Sequence, residues 1–103
     1  MNYRLLTEAR DELDAAAEHY DRQRRGLGFE FLQAVESTIQ TLLPDPSSWP
    51  VVARDFRRCR VWRFPYDVIF RIHNEVVVIF AVAHHHRCPG YWRRRSDETE
   101  ESQ

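Results

Sequence analysis

The chain has 103 residues, of which 43% are hydrophobic and 30% charged, so it is long enough for one buried core and too short for a second domain. Its longest apolar run, residues 76–83, is far shorter than a membrane span. Residues 1–4 lack a basic segment followed by an apolar signal core, so we expect a cytoplasmic protein that makes no contact with a membrane. In that compartment, we expect Cys59 and Cys88 to remain free thiols.

The formal net charge of −1 hides an uneven distribution. Counting Arg against Asp and Glu, the net charge is −4 over residues 1–50, +7 over residues 51–95 and −4 over residues 96–103. All 15 basic side chains are Arg, whose planar guanidinium binds phosphates and carboxylates through paired hydrogen bonds. The second half is therefore suited to nucleic acid or to an acidic protein segment, unless the acidic first half neutralises it within the fold.

The first half predicts one short strand and two helices. The strand covers residues 3–6, and Thr7 is a candidate cap for a helix that starts near residue 8. A stripe of apolar residues follows at helical spacing: Ala9, Leu13, Ala16, Ala17 and Tyr20. Glycines 26 and 28 end this helix, and a second helix covers residues 27–43 until a proline-rich segment stops it. The two helices should form an antiparallel hairpin.

The second half changes to the period of two that is typical of strands. It predicts strands at residues 56–64, 68–73 and 76–83, with a turn at residues 65–67 and a tight hairpin at residues 74–75. The resulting fold class is α+β, a single β-α-α-β-β-β domain whose helix hairpin packs on a mostly antiparallel sheet. The acidic residues 96–103 lack apolar anchors, and we expect a disordered tail there.

The segment after the last predicted strand carries three consecutive histidines and a cysteine. His84 and His86 share one side of an extended chain, and Cys88 could supply a third ligand for zinc. Arg87, however, lies in the middle of that candidate ligand set, and the sequence shows no second paired cluster. We therefore expect no metal and no cofactor, with these histidines as ordinary polar groups at a strand end.

RNA cleavage is a second interpretation of the same region. It requires a base near the 2′-hydroxyl, cationic donors to the phosphate and an acid for the leaving oxygen. Candidates for these roles are His85 or His86, Arg58, Arg60, Arg87 and Tyr91. The rings of Tyr66, Tyr91 and Trp92 could stack on bases, but Tyr91 and Trp92 could equally pack the C-terminal segment onto the sheet, and packing is favoured for Trp92.

Several motifs together resemble one family. They are the predicted element order, the phrase Arg63-Phe64-Pro65-Tyr66, the apolar strand at residues 76–82, and the ending His84-x-x-Arg87-x-Pro89-x-Tyr91-Trp92. With these features the chain resembles the RelE/ParE superfamily of bacterial toxins across residues 1–95.

The resemblance implies a growth-inhibiting toxin of a type II toxin-antitoxin module, of the kind also called plasmid stabilisation proteins. A cognate antitoxin would neutralise it in a hetero-oligomer, with an acidic tail against the Arg-rich strand. The residues that we expect to bind the target or the antitoxin are Arg57, Arg63, Tyr66, His86 and Trp92.

The superfamily contains ribosome-dependent mRNA nucleases and ParE-type proteins that poison DNA gyrase, and the fold does not choose between them. If this chain is a nuclease that cleaves by 2′-hydroxyl attack, the resemblance places Arg58, Arg60, His85, Arg87 and Tyr91 in its catalytic site. Asp67 stands where many of these nucleases have Arg, and a carboxylate there would repel the scissile phosphate. We therefore favour ParE-like inhibition of DNA gyrase, with RelE-like mRNA cleavage as the alternative.

Overall fold

A computed structural model describes residues 1–97 of the chain. In chain order the elements are β1 (Asn2–Leu5), α1 (Thr7–Gln23), α2 (Leu27–Leu42), β2 (Val51–Ala53), β3 (Phe56–Arg60), β4 (Tyr66–His73) and β5 (Val76–His84), with short 3-10 helices at Pro46–Ser48 and Tyr91–Arg94. The strands form one sheet in the order β1-β5-β4-β3-β2. β1 runs parallel to β5, and all other neighbours are antiparallel. The predicted α+β fold with a helix hairpin is confirmed.

The strands differ from the prediction at three points. β2 is absent from the predicted elements, and it pairs with the start of β3 across a turn in which Arg54 has a φ of 50°. β3 ends at Arg60 instead of Phe64, because the chain then makes a turn in which Arg63 has a φ of 65°. Tyr66 is not in a turn but begins β4. Both turns place an Arg in the left-handed region, which sequence patterns do not favour for this residue.

The helix hairpin depends on a close approach at Gly28. A β-carbon at this position would lie 2.3 Å from the carbonyl oxygen of Ala17, so only glycine lets the start of α2 pack against the end of α1. Asp21 supports the connection, because its carboxylate accepts hydrogen bonds from the backbone N–H groups of Gly26 and Gly28. The start of α1 also differs from the prediction: Thr7 is its first helical residue, and no side chain caps it.

The sheet is buried on both faces, by different partners. On one face the helices cover it, and Phe31 of α2 packs edge-on against Phe64 and Tyr66. On the other face the C-terminal segment crosses the sheet, where Trp92 joins Phe56 in a smaller aromatic cluster. Trp92 is only 7% exposed, so the predicted packing of this residue is confirmed.

The predicted acidic tail lies mostly at residues 98–103, outside the described part of the chain. Its first residues belong to the described part, and there Asp97 is buried and accepts hydrogen bonds from the Arg4 guanidinium at 2.5 and 2.6 Å. Asp97 thus fastens the end of the described chain to β1. Between residues 1 and 97, no helix has the length and apolar character needed to cross a membrane.

Replacing Gly28 by Ala should destabilise the protein by about 2–3 kcal/mol, because the new methyl group overlaps a backbone carbonyl that cannot move freely. Chemical denaturation measures the change. Gly26→Ala is the matched control: it meets no atom within 4 Å, and only its φ of 91° costs about 1 kcal/mol. Equal effects of the two changes would show that the helices do not approach as closely as described.

Candidate functional site

A groove lies on the face of the sheet that the helices leave open. Arg58 pairs in register with Ile69, and Arg60 pairs with Asp67, which in turn pairs with Ala83 of β5. Because side chains alternate along a strand, all of these residues project to the same side. The segment after β5 forms the opposite wall, and the enclosed volume is about 550 Å³.

The groove is cationic. Arg58 and Arg60 form its floor, and within residues 1–97 neither side chain makes a hydrogen bond or an ion pair. Arg87 and Arg93 belong to the opposite wall, where Arg93 donates a single hydrogen bond from Nε to the carbonyl of Gly90. Guanidinium groups without acidic partners are free to bind phosphates or carboxylates from another molecule.

Asp67 is the one carboxylate among the described residues that line this groove. Its Oδ1 lies 3.2 Å from Nε2 of His85, whose backbone N–H in turn donates to the carbonyl of Pro65. Asp67 lies in the same cross-strand pair as Arg60. The carboxylate of Asp67 therefore faces the groove. This is the residue that, from the sequence, we expected to repel the scissile phosphate of an RNA substrate.

Glu12 of α1 holds the far wall of the groove in place. Its carboxylate accepts a hydrogen bond of 2.5 Å from the Tyr91 hydroxyl and two of 2.9 Å from the Arg95 guanidinium. It also accepts the backbone N–H of Val82 at 3.1 Å. The Arg87 guanidinium lies 3.9 Å from the same carboxylate. One acidic residue thus connects α1, β5 and the C-terminal segment.

Tyr91 is constrained chemically as well as sterically. Burial and the hydrogen bond to Glu12 raise the pKa of its hydroxyl well above the ordinary value. The Arg87 guanidinium lies 4.0 Å from the centre of its ring, and the Arg95 guanidinium lies 5.0 Å from it. The phenol therefore keeps its proton, and its ring is already covered by cations.

Four of the five predicted catalytic residues line the groove with side chains that have, within residues 1–97, no polar partner or only one weak one. Arg58, Arg60, His85 and Arg87 all line it, and the fifth, Tyr91, lines it through a ring whose hydroxyl is already bound. The spatial grouping predicted from the sequence is therefore present.

The predicted binding residues are not brought together. Arg57 donates to the carbonyl of Trp49 at 2.7 Å, and Arg63 donates to Glu30 of α2 at 2.8 Å. Tyr66 is half-buried among aromatic rings on the helix side of the sheet, and Trp92 is buried on the opposite face. His86 is exposed, and its backbone N–H donates to Nδ1 of His84. A single binding surface cannot include all five.

His84 and His86 contact each other, with ring centres 4.9 Å apart, but the histidines and cysteines have different surroundings. Among residues 1–97, no group of three or more His, Cys, Asp or Glu side chains is placed to hold a metal ion. His84 packs edge-on against Tyr66, and burial followed by the charges of His86 and His85 lowers its pKa. Cys59 is buried, which raises the pKa of its thiol to about 11, whereas Cys88 is exposed beside the groove.

Three residues at this site, Glu12, Arg93 and Arg95, were not among the residues predicted from the sequence. Glu12 did carry a detectable signal, because it lies three residues after Ala9 and four before Ala16, the two buried positions of α1. A carboxylate on the inward side of a helix needs a partner, so this spacing indicates a buried ion pair. The partners of Glu12 could not be identified in the same way, because Tyr91 and Arg95 lie 79 and 83 residues later in the chain.

Comparisons with known proteins assign the family. Residues 3–89 match the family described as the ParE toxin of type II toxin-antitoxin system, parDE. The chain therefore belongs to this family, within the RelE/ParE superfamily. It is a type II toxin, and this membership implies a cognate antitoxin as its partner.

A solved structure described as "Chromosomal ParDE TA system from P. aeruginosa" is similar to this chain, with a TM-score of 0.73. The likeness covers 82% of this chain and 95% of that one at 18% sequence identity, which shows a shared fold. A search of curated proteins found no match.

Replacing Glu12 by Ala should lower the free energy of unfolding by about 2–4 kcal/mol. The Arg95 and Glu12 side chains are both only 15% exposed, so the change leaves a largely buried cation and a backbone N–H without their acceptor. Urea denaturation measures the loss. Glu18→Ala is the control, since its ion pair with Arg22 is exposed on α1 and contributes at most about 0.5 kcal/mol. An equally small effect for Glu12→Ala would show that this connection does not support the fold.

Proposed function

We propose that this toxin acts in the cytoplasm by inhibiting DNA gyrase, and that its cognate antitoxin keeps it inactive until it is released. Two facts support this choice of target over mRNA. The first is membership of the ParE toxin family across residues 3–89. The second, on which the proposal mainly rests, is that Glu12 binds the Tyr91 hydroxyl and lies beside Arg87, and these are two of the five residues expected in the catalytic site if the chain is a nuclease.

The chemistry of RNA cleavage fits these contacts poorly. A general acid must release its proton near neutral pH, but the Tyr91 hydroxyl already donates to Glu12 and has a raised pKa. Arg87 is drawn toward the same carboxylate and lies over the Tyr91 ring. Asp67 adds a negative charge beside Arg60, where a nuclease would bind the scissile phosphate. These contacts favour a toxin that acts by binding.

The groove suits such a binding role. Arg58 and Arg60 present unpaired charges on a rigid sheet, and Arg93 adds a third guanidinium from the opposite wall. A surface of this kind steers association with an acidic partner and fixes its orientation. DNA gyrase engaged with its DNA offers both carboxylates and phosphates. The proposal therefore places the contact with the target in this groove.

One observation favours the nuclease alternative. His85 lies 3.2 Å from Asp67, and a carboxylate beside an imidazole is the arrangement that orients a general base. In that case His85 would accept the proton of the 2′-hydroxyl while Arg58 and Arg60 bind the phosphate. The Tyr91 hydroxyl, the candidate acid for the leaving oxygen, is bound to Glu12, so this alternative explains less of the site.

Two assays with the purified toxin distinguish the targets. With gyrase, plasmid DNA and ATP, we expect inhibited supercoiling and trapped cleavage complexes, and with ribosomes programmed with mRNA we expect intact message. Arg58→Gln should weaken gyrase inhibition at least about tenfold, since it removes a guanidinium from the groove. Arg22→Gln, an exposed change on α1, should have no effect.

The opposite pattern would contradict the proposal. Site-specific cleavage of ribosome-bound mRNA, together with unaffected gyrase, would identify the protein as a nuclease. Loss of that cleavage in His85→Ala would then identify His85, oriented by Asp67, as the general base.

A further inference from the structure

A second depression adjoins the cationic groove. It encloses about 710 Å³, and it is lined by Arg54, Arg93, Arg94 and residues 88–91. Residues 88–91 and Arg93 also line the groove, so they form a wall with an open concavity on each side. We refer to the second concavity as the outer depression. The residues that line it include no carboxylate.

The cations of the outer depression are unpaired. Arg54 and Arg94 are exposed, and within residues 1–97 neither side chain makes a hydrogen bond or an ion pair. Asp55 follows Arg54 in the chain, but its carboxylate lies 3.5 Å from Nε of Arg71 instead. The free charges of the outer depression therefore add to the two that the groove presents on the other side of the wall.

Arg93, which borders both concavities, is held in place by Gly90. The Gly90 backbone has a φ of 80°, and a β-carbon at this position would overlap the Arg93 guanidinium. Nε of Arg93 donates to the Gly90 carbonyl at 3.2 Å. The guanidinium thus lies flat against the turn before any ligand arrives, so little conformational freedom is lost when it binds.

The lining of the outer depression favours phosphates over a protein segment. Protein interfaces are usually anchored by large apolar or aromatic side chains. None of the exposed large hydrophobic residues in the described chain lines this depression. Three of its seven lining residues are Arg, and none is acidic. Clustered arginines without carboxylates are the electrostatic signature of a nucleic-acid surface.

The aromatic residues of the wall distinguish a duplex from a single strand. Surfaces for single strands stack bases on exposed rings. Here two guanidinium groups cover the Tyr91 ring, and Trp92 is buried. A duplex instead presents two rows of phosphates with a groove between them. A wall with guanidinium groups on both sides can face such a groove and contact one row on each side.

We propose that the toxin itself binds double-stranded DNA, with the wall at residues 88–91 facing a groove of the duplex. Arg58 and Arg60 contact phosphates on one side of the wall, and Arg54 and Arg94 contact phosphates on the other. Because these contacts are to the backbone, binding does not depend on base sequence. The inference goes beyond the proposed inhibition of gyrase, since the DNA is bound without the enzyme.

The test is binding of the purified toxin to a fluorescent duplex of about 20 base pairs, measured by anisotropy at several salt concentrations. We expect a micromolar Kd at about 50 mM salt and a log–log salt slope of about −4.5, because five guanidinium groups, Arg93 included, each neutralise a phosphate. Arg54→Gln with Arg94→Gln should raise Kd at least about tenfold and make the slope shallower by about 2. Arg22→Gln with Arg25→Gln is the charge-matched control, since both residues are exposed at the end of the helix hairpin. It should change Kd less than about twofold.

Gly90→Ala tests the position of Arg93 without changing any charge. The new methyl group displaces the Arg93 guanidinium, so Kd for the duplex should rise about fourfold. Gly26→Ala is the matched control, because its φ of 91° is similar but the methyl group meets no atom within 4 Å. Both variants carry similar backbone strain, and only Gly90→Ala should weaken DNA binding.

An unchanged Kd in Arg54→Gln with Arg94→Gln, or a Kd that does not vary with salt, would overturn the inference. Tighter binding of a single strand of the same length would also overturn it. Binding of polyglutamate without binding of DNA would identify an acidic protein segment as the occupant instead. A toxin that inhibits gyrase but does not bind DNA refutes only this inference, and one that binds DNA without inhibiting gyrase refutes only the proposed function.

Discussion

The placement of the C-terminal segment depends on how the protein satisfies the part of the β5 edge that β1 leaves uncovered. β1 pairs with β5 only as far as Leu5, and the last backbone bond on this side joins Leu6 to Ile79. Beyond it, the N–H of Val82 and the carbonyl of Phe80 would be left without partners. Glu12 accepts the first, and Arg95 donates to the second at 2.8 Å.

This solution has consequences for the site. A largely buried carboxylate requires compensating charge, and Arg95 supplies it through two parallel hydrogen bonds. The segment that carries Arg95 is therefore held across the sheet, which places Trp92 over Phe56. It also builds the far wall of the cationic groove. The contact that closes the sheet edge is thus the same contact that immobilises Tyr91.

The arginines of the second half do not form one uniform patch. Because side chains alternate along β3, Arg58 and Arg60 face the groove, whereas Arg57 points away and bonds to the backbone. Arg63 lies past the strand and pairs with α2. Residues 51–95 carry a net charge of +7. Some of their arginines therefore bond within the fold, and others have no partner within residues 1–97 and can bind another molecule.

Much of the fold could be predicted from local patterns, since the helices, β4 and β5 have clear periodicity. The packing of Trp92 also follows from the sequence, and its burial confirms it. Patterns failed where tertiary contacts override local preference, as in the turn at Arg63, which an ion pair to Glu30 supports. They also failed at Glu12, because its partners are distant in sequence. The five residues expected at a nuclease site line one groove, but their bonding states could be read only from the structure.

The measurement that tests this account most directly is the toxicity of two charge-matched double variants, expressed without antitoxin. Arg58→Gln with Arg60→Gln removes two unpaired groove charges, whereas Arg57→Gln with Arg63→Gln removes two that bond within the fold. The account predicts that the first pair abolishes growth inhibition and that the second, once shown to be folded, retains it. Equal loss in both, or loss only in the second, would contradict it.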